Sequence, residues 1–240
     1  MKLNTINHTI YLFGGPFSEF SPSECWNGIT LQEKEYATKF HHAEDQESFV
    51  VARSHVRKVL SKLSGLPPLD IQLIKNTSGK STMKQQPQIH FSVAHTKAAF
   101  VIAATTDFPI GVDIESVQRK IDFHQVKNVL LTSHEQQLIQ AFGLENSCSP
   151  LLLKTWTQKE ALVKCLGITL ESGMHAFEVL NDQFENTVRS LNHHYPNADW
   201  FLQTGNWIPS YLISVAMNVP ENVKPNIEDH TISPSLFRCA

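Results

Sequence analysis

The sequence predicts an α+β fold made of two similar halves, and three observations carry that expectation. The order strand, helices, strands occurs twice, once on each side of about residue 107. Short apolar or alternating runs are separated by longer stretches of helical period, which is the pattern of mixed rather than all-α or all-β domains. The 240 residues suffice for two small cores, with 41% hydrophobic and 18% charged residues.

The first half opens on "TIYLFGG" (9–15), a strand-like run ending in a Gly-Gly-Pro turn. From Leu31 to Ser64 the pattern is helical. Phe49, Ala52, Val56, Val59, Leu60 and Leu63 recur at three- and four-residue steps, and Gly65 and Pro67 close the stretch. "DIQLIKN" (70–76) reads as a strand and "TSGKSTMKQQPQ" (77–88) as a polar loop. "IHFSVAH" and "AAFVIAAT" read as a hairpin across "TKA".

The second half opens on "FPIGVDIESV" (108–117), continues with helical patterns at roughly 121–143 and 150–166, and ends on three strands. These are "AFEVLN" (176–181), "WFLQTG" (200–205) and "YLISVAMNV" (211–219). Residues 220–240 are polar, Pro-containing and aperiodic, and are expected to form a loosely held tail. The organisation is therefore 1–107, 108–219 and 220–240.

A net charge of −3 and a pI near 6.4 supply no global attraction to nucleic acid or a membrane surface. The longest apolar run, "AAFVIAA" (98–104), is too short to span a bilayer, and the first residues lack the apolar region of a secretory signal. Cys25, Cys148, Cys165 and Cys239 form no C-x-x-C pair, so reduced thiols and a cytoplasmic location are expected.

Chemistry concentrates in two stretches. In "FPIGVDIESV" extended geometry places Ile110, Val112 and Ile114 on one face and Gly111, Asp113 and Glu115 on the other. Two neighbouring carboxylates require water, a proton or a cation between them. In "LLLKTWTQKEALVKCLG" (151–167), Trp156, Glu160 and Lys164 fall at i, i+4 and i+8, along one side of a helix. With strand and helix side by side, Glu160 becomes a third hard oxygen ligand. Such a set suits Mg²⁺, which retains waters and is completed by substrate phosphates. Lys164 then offers a point charge to a phosphate oxygen. Taken singly, the strand reads as a solvated sheet face and the helix as a salt-bridged surface helix.

Upstream, Arg53 and Arg57 lie at i, i+4 beside Lys58, on what alone reads as a solvated basic face. Gly79-Lys80 offers backbone N–H groups and a cation to an anion. His95 ends an apolar strand. "HEQQL" (134–138) is no zinc helix, because Leu138 stands where the second histidine belongs. His41-His42 and His193-His194 have no partner motif.

In this order the motifs resemble the 4'-phosphopantetheinyl transferase superfamily, specifically its surfactin-synthetase-activator (Sfp) type. "GVDIE" (111–115) and "WTQKEALVK" (156–164), with 42 residues between Asp113 and Trp156, match the family's two-part pattern. "FSVAHT" (91–96), "SGK" (78–80) and "GITLESGMHAFEV" (167–179) resemble its flanking segments, so the likeness spans about residues 33–219. It implies a pseudo-dimer of two α/β halves with the active site in the cleft between them.

It also implies the reaction: the 4'-phosphopantetheine arm of coenzyme A moves to a serine of an apo acyl, polyketide or peptidyl carrier protein, releasing 3',5'-ADP. By that resemblance Asp113, Glu115 and Glu160 hold Mg²⁺. Lys164 binds the pyrophosphate and protonates the leaving group, and either Glu160 or Glu135, through a water, takes the serine proton. Arg53, Lys80 and His95 contact the coenzyme A phosphates, and Trp156 positions the helix. A monomer is expected, with 121–131 as the carrier-docking segment. Two departures stand out: Ala94 replaces a frequent hydroxyl residue before His95, and Ser81 replaces a frequent proline after Lys80. The alternatives are a catalytically weak relative that only binds carrier proteins or coenzyme A, and an unrelated Mg²⁺-dependent phosphohydrolase.

Overall fold

The structure is a computed structural model and describes residues 8–76, 79–183, 188–191, 199–220 and 223–229. The first half comprises β1 (Thr9–Pro16), α1 (Pro22–Cys25), α2 (Leu31–Ala37), α3 (Ala43–Ser64), β2 (Leu73–Lys75), β3 (Ser81–Met83), β4 (His90–His95) and β5 (Ala99–Thr105). The second comprises β6 (Ile110–Ser116), α4 (Phe123–Leu130), α5 (Ser133–Ala141), α6 (Ser149–Leu166), α7 (Leu170–Gly173), β7 (Phe177–Glu178), β8 (Arg189–Ser190), β9 (Asp199–Gly205) and β10 (Tyr211–Val219), followed by β11 (Asn226–Asp229).

The duplicated order seen in the sequence reappears in the strand pairing. In the first half β5 lies between β1 and β4, and in the second β10 lies between β6 and β9, with every one of these pairs antiparallel. Each half thus places its opening strand and the first strand of its closing hairpin on either side of its last strand.

Side-chain alternation explains how the halves join. On β1 and β5, Phe13, Phe100, Ile102 and Ala104 pack with Val50, Val56 and Leu60 of α3. Their alternate residues, Ile10, Leu12, Val101 and Ala103, share a second core with Ile110, Val112 and Ile114 of β6 and Ile213 and Val215 of β10. Strand β5 is therefore buried on both faces, which accounts for its unbroken apolar run.

The expected single helical stretch 31–64 is two helices. The Thr30–Glu33 capping box starts α2, and the Gln46 side-chain amide donates to the Ala37 carbonyl (2.9 Å), satisfying its far end. The expectation of a loose tail over 220–240 is corrected at β11, which pairs parallel with β1. Val223 and Ile227 pack on the shared core, so this segment carries apolar anchors as well as a strand edge to join. The end of the tail, and His193-His194, lie outside the described residues. No helix among the described residues is long and apolar enough to cross a membrane.

His55 on α3 is 3% exposed, with Nδ1 2.8 Å from the Val51 carbonyl oxygen and its ring against Phe20 and Phe100. Burial is the main cause that brings its pKa from 6.5 to about 4. Because the unfolded chain then binds the extra proton, stability is lost as pH falls from about 6.5 towards 4. Linkage sets the loss between pH 7 and pH 5 at about 2 kcal/mol. Denaturant unfolding at both pH values should show this difference shrinking in His55→Gln; an unchanged difference would contradict it.

Candidate active site

The site begins at Gly111. A Cβ at this position would lie 1.9 Å from the Ala161 carbonyl oxygen and 2.4 Å from the Cys165 backbone nitrogen, so the missing side chain lets α6 rest directly on β6. The face bearing Gly111 and Asp113 is thereby covered by helix, with only the end towards Glu115 partly open.

That approach brings the two stretches into register, running in opposite directions. Lys164 Nζ donates to Asp113 Oδ1 at 2.6 Å and lies 3.3 Å from Glu160 Oε2. One strand residue-pair further on, Glu115 pairs with Arg119, whose guanidinium lies 4.7 Å over the Trp156 ring. The helix stripe Trp156, Glu160, Lys164 is thus answered by Arg119 with Glu115, and then by Asp113.

The electrostatics call for positive charge. Asp113 is 4% exposed, and its Oδ2 is buried with no hydrogen-bond partner. Burial, reinforced by Glu160 and Glu115 and opposed by Lys164, pushes its pKa up to about 8. Burial raises that of Glu115 as well, against the pull of Arg119. For Lys164 burial acts downwards, yet the Asp113 and Glu160 carboxylates outweigh it and hold the ammonium above its ordinary value.

Three hard oxygen donors and an orphaned buried carboxylate oxygen fit a small divalent cation. Among the described residues, no three acids, histidines or cysteines converge as a finished cage. The physical reason is visible in the pairs: Lys164 stands between Asp113 and Glu160, and Arg119 draws Glu115.

A cavity of about 910 Å³ adjoins this stripe and is walled by both halves. Arg53 of α3, Lys80, His95 and Lys97 line it from the first half, and Lys164 and Gly167 from the second. Four residues expected from the sequence to meet phosphates are therefore together. Their states differ. Arg53 is 3.6 Å from Glu33 and sits 5.4 Å over the Phe49 ring, and His95 is exposed, with Nδ1 3.3 Å from the Thr96 carbonyl oxygen.

Two expectations need correction. Lys80 lines the cavity, but its Nζ donates to the carbonyls of Cys165 (2.8 Å) and Ile110 (3.1 Å). It ties the end of α6 and the start of β6 to the first half and is not a free phosphate donor here. Glu135 is fully buried. It caps α5 with Thr132, accepts from Lys159 Nζ at 2.5 Å and from the Val179 backbone at 2.9 Å, and so holds α5, α6 and the following segment together. With its oxygens so engaged it cannot serve as the proton acceptor weighed above. The Thr132-x-x-Glu135 spacing is a capping-box signal that could have revealed this role.

Arg57 likewise is no solvated cation: it is 3% exposed, forks onto Glu33 and donates to the Pro68 and Ile71 carbonyls. Arg119 and Lys97 were missed. Neither lies in a periodic motif, and only the fold shows what they face.

Two family models match the chain. The model described as the 4'-phosphopantetheinyl transferase superfamily covers residues 109–216, and the one described as 4'-phosphopantetheinyl transferase, N-terminal, covers 20–107. Among curated proteins the chain is similar to 4'-phosphopantetheinyl transferase ffp of Bacillus subtilis, with 27% identity across 86% of this chain and 89% of that protein. It is similar to 4'-phosphopantetheinyl transferase Sfp of Bacillus subtilis (strain 168), with 24% identity across 86% and 89%. The L-aminoadipate-semialdehyde dehydrogenase-phosphopantetheinyl transferase of Rattus norvegicus is 26% identical across 66% of this chain and 55% of its own length.

Proposed function

Because the chain belongs to the 4'-phosphopantetheinyl transferase superfamily and to its Sfp type, we propose that it transfers 4'-phosphopantetheine from coenzyme A to a serine of an apo carrier protein. The observation that carries this reading is the cavity shared by both halves that ends on Lys164, itself joined to Asp113 and Glu160. The repeated strand order supports reading the halves as a pseudo-dimer with the active site between them.

In the proposed reaction the serine oxygen forms a bond to the phosphorus nearest pantetheine, and the bond from that phosphorus to the bridging oxygen breaks, releasing 3',5'-ADP. Asp113, Glu115 and Glu160 would hold Mg²⁺, which when bound neutralises the pyrophosphate and polarises the phosphorus under attack. Lys164, held between Asp113 and Glu160, would neutralise the departing phosphate and give it a proton. Glu160, half-buried on the same stripe, is the remaining candidate to receive the serine proton, since Glu135 is fully engaged. Arg53 and His95, which line the same cavity, would contact the coenzyme A phosphates. Around α4, exposed His124 and Val129 make 121–131 the proposed carrier-docking segment. Action as a cytoplasmic monomer belongs to the same proposal.

Chromatographic measurement of nucleotide release tests the reading against a phosphohydrolase. Coenzyme A with Mg²⁺ should yield 3',5'-ADP only when an apo carrier is present, and a chelator should stop it. Release without any carrier would contradict the transferase reading.

A further inference from the structure

The face of the sheet that meets α6 is built in rows. Residues opposite each other on neighbouring antiparallel strands project to the same side, and so do alternate residues along one strand. Gly111 of β6 pairs with Ala216 of β10, and the next row on that face is Asp113, Ser214 and, on β9, Thr204. The first row is small and apolar, and Ala216 shares a core with Ala161 of α6. Contact of that kind has no direction and lets a helix slide. The second row is polar.

Three hydroxyls and one amide join that row to the helix in a single chain. Gln158 Nε2 donates to Thr204 Oγ1 at 3.1 Å, and the Thr204 and Ser214 hydroxyls are 2.9 Å apart. Ser214 Oγ donates to Thr157 Oγ1 at 2.9 Å, and Thr157 Oγ1 donates to the Lys154 carbonyl at 2.9 Å. Because the Ser214 proton goes to Thr157, Ser214 accepts from Thr204, and every link runs one way. The chain leaves α6 at Gln158, crosses β9 and β10, and returns to α6 at Thr157. Thr157, Gln158 and Ser214 are at most 1% exposed. Buried hydroxyls cost free energy unless paired, and apolar side chains of the same shape would fill this space without that requirement. What the polar chain supplies is direction, since hydrogen bonds weaken steeply when misaligned.

We infer that the Thr157–Ser214 clamp fixes the register of α6 on the sheet and so sets Glu160 and Lys164 against Asp113, a role that rests on the transferase reading of the site. Thr157 and Ser214 are then positioning residues. Ser214 stands directly opposite Asp113, and Glu160 and Lys164 follow Thr157 by three and seven residues, on the same side of the helix. A slide of α6 by one residue is about 1.5 Å, and a misplacement of about 1 Å is enough to slow a reaction roughly a hundredfold.

The test compares Thr157→Val, which keeps the shape and removes the hydroxyl, with Thr157→Ser, which keeps the hydroxyl, and with Ser214→Ala. Thr157→Val and Ser214→Ala should each lower kcat for carrier modification about tenfold, the usual effect of losing a residue that orients a metal ligand. The KM for coenzyme A, whose contacts in the first half are untouched, should change less. The Mg²⁺ concentration that gives half of the Mg²⁺-induced rise in melting temperature should increase about tenfold as well. Without Mg²⁺ the melting temperatures should fall by only about 2–4 °C, and Thr157→Ser should restore kcat and the Mg²⁺ midpoint together. Wild-type kcat and Mg²⁺ midpoint in Thr157→Val or Ser214→Ala, whatever the melting temperature, would overturn the clamp's role at the site. So would Thr157→Ser as impaired as Thr157→Val. A wild type that modifies no carrier would overturn the transferase reading instead, and the Mg²⁺ midpoints would still decide the clamp.

Discussion

Asp113→Asn should lower carrier modification by about a thousandfold, the upper range for removing one preorganised charge contact from a polar transition state, while leaving the fold in place. The separation of the two effects comes from the position of Asp113. One of its oxygens is buried without a partner, and the other is held by Lys164. A buried carboxylate with an unsatisfied oxygen is a cost to the folded chain rather than a source of stability. An amide of the same shape should therefore leave the melting temperature without Mg²⁺ unchanged or slightly higher. Adding Mg²⁺ should raise the melting temperature of the wild type and not of the variant, since only a ligand bound by the native state stabilises it. Transfer at the wild-type rate by Asp113→Asn would remove Asp113 from the metal assignment. A large fall in its metal-free melting temperature would show the residue to be structural.

Gly111→Ala should damage fold and function together. Its Cβ would enter the van der Waals space of the Ala161 carbonyl and the Cys165 amide, and backbone on a packed helix cannot give way as a side-chain tip does. Overpacking of this kind costs about 3 kcal/mol, which for a chain of this size lowers the melting temperature by about 6–12 °C. The same displacement moves Glu160 and Lys164 away from Asp113. Transfer should fall at least a hundredfold even at a temperature where the variant remains folded. A melting temperature and turnover equal to the wild type would mean that α6 does not rest on β6 as described.

How much of this was legible beforehand depended on whether a residue's partner lay within reach of a local pattern. The alternation of Gly111, Asp113 and Glu115 against Ile110, Val112 and Ile114 has a period of two residues, and the stripe Trp156, Glu160, Lys164 has a period of four. Both survive intact in the structure. What the pattern did not convey is that Asp113 is buried rather than projecting, because that depends on the close approach of a helix some fifty residues later.

Glu135 looked available for chemistry for the same reason: its capping role is local, but Lys159, which shares the capping oxygen, is 24 residues away, and the Val179 backbone, which takes the other oxygen, is 44 away. Lys80 reads in the sequence as a turn lysine offering its charge to an anion, and only the meeting of α6 with β6 gives its ammonium two carbonyls to bridge. At the other end of the chain, Ile227 is one apolar residue in a polar segment. Its strand exists because β1 presents an edge to pair with, a fact no window of the tail contains. The duplication was visible as an order of elements, whereas the common strand arrangement behind it required the pairing itself.

The most direct test of the transferase account is intact mass spectrometry of apo carrier proteins incubated with this chain, coenzyme A and Mg²⁺, alongside carriers whose acceptor serine is replaced by alanine. The expected result is a gain of one phosphopantetheine on at least one carrier, absent from its alanine variant and abolished by a chelator. Coenzyme A consumed with no mass gained by any carrier, or a gain that persists on the alanine variants, would contradict it.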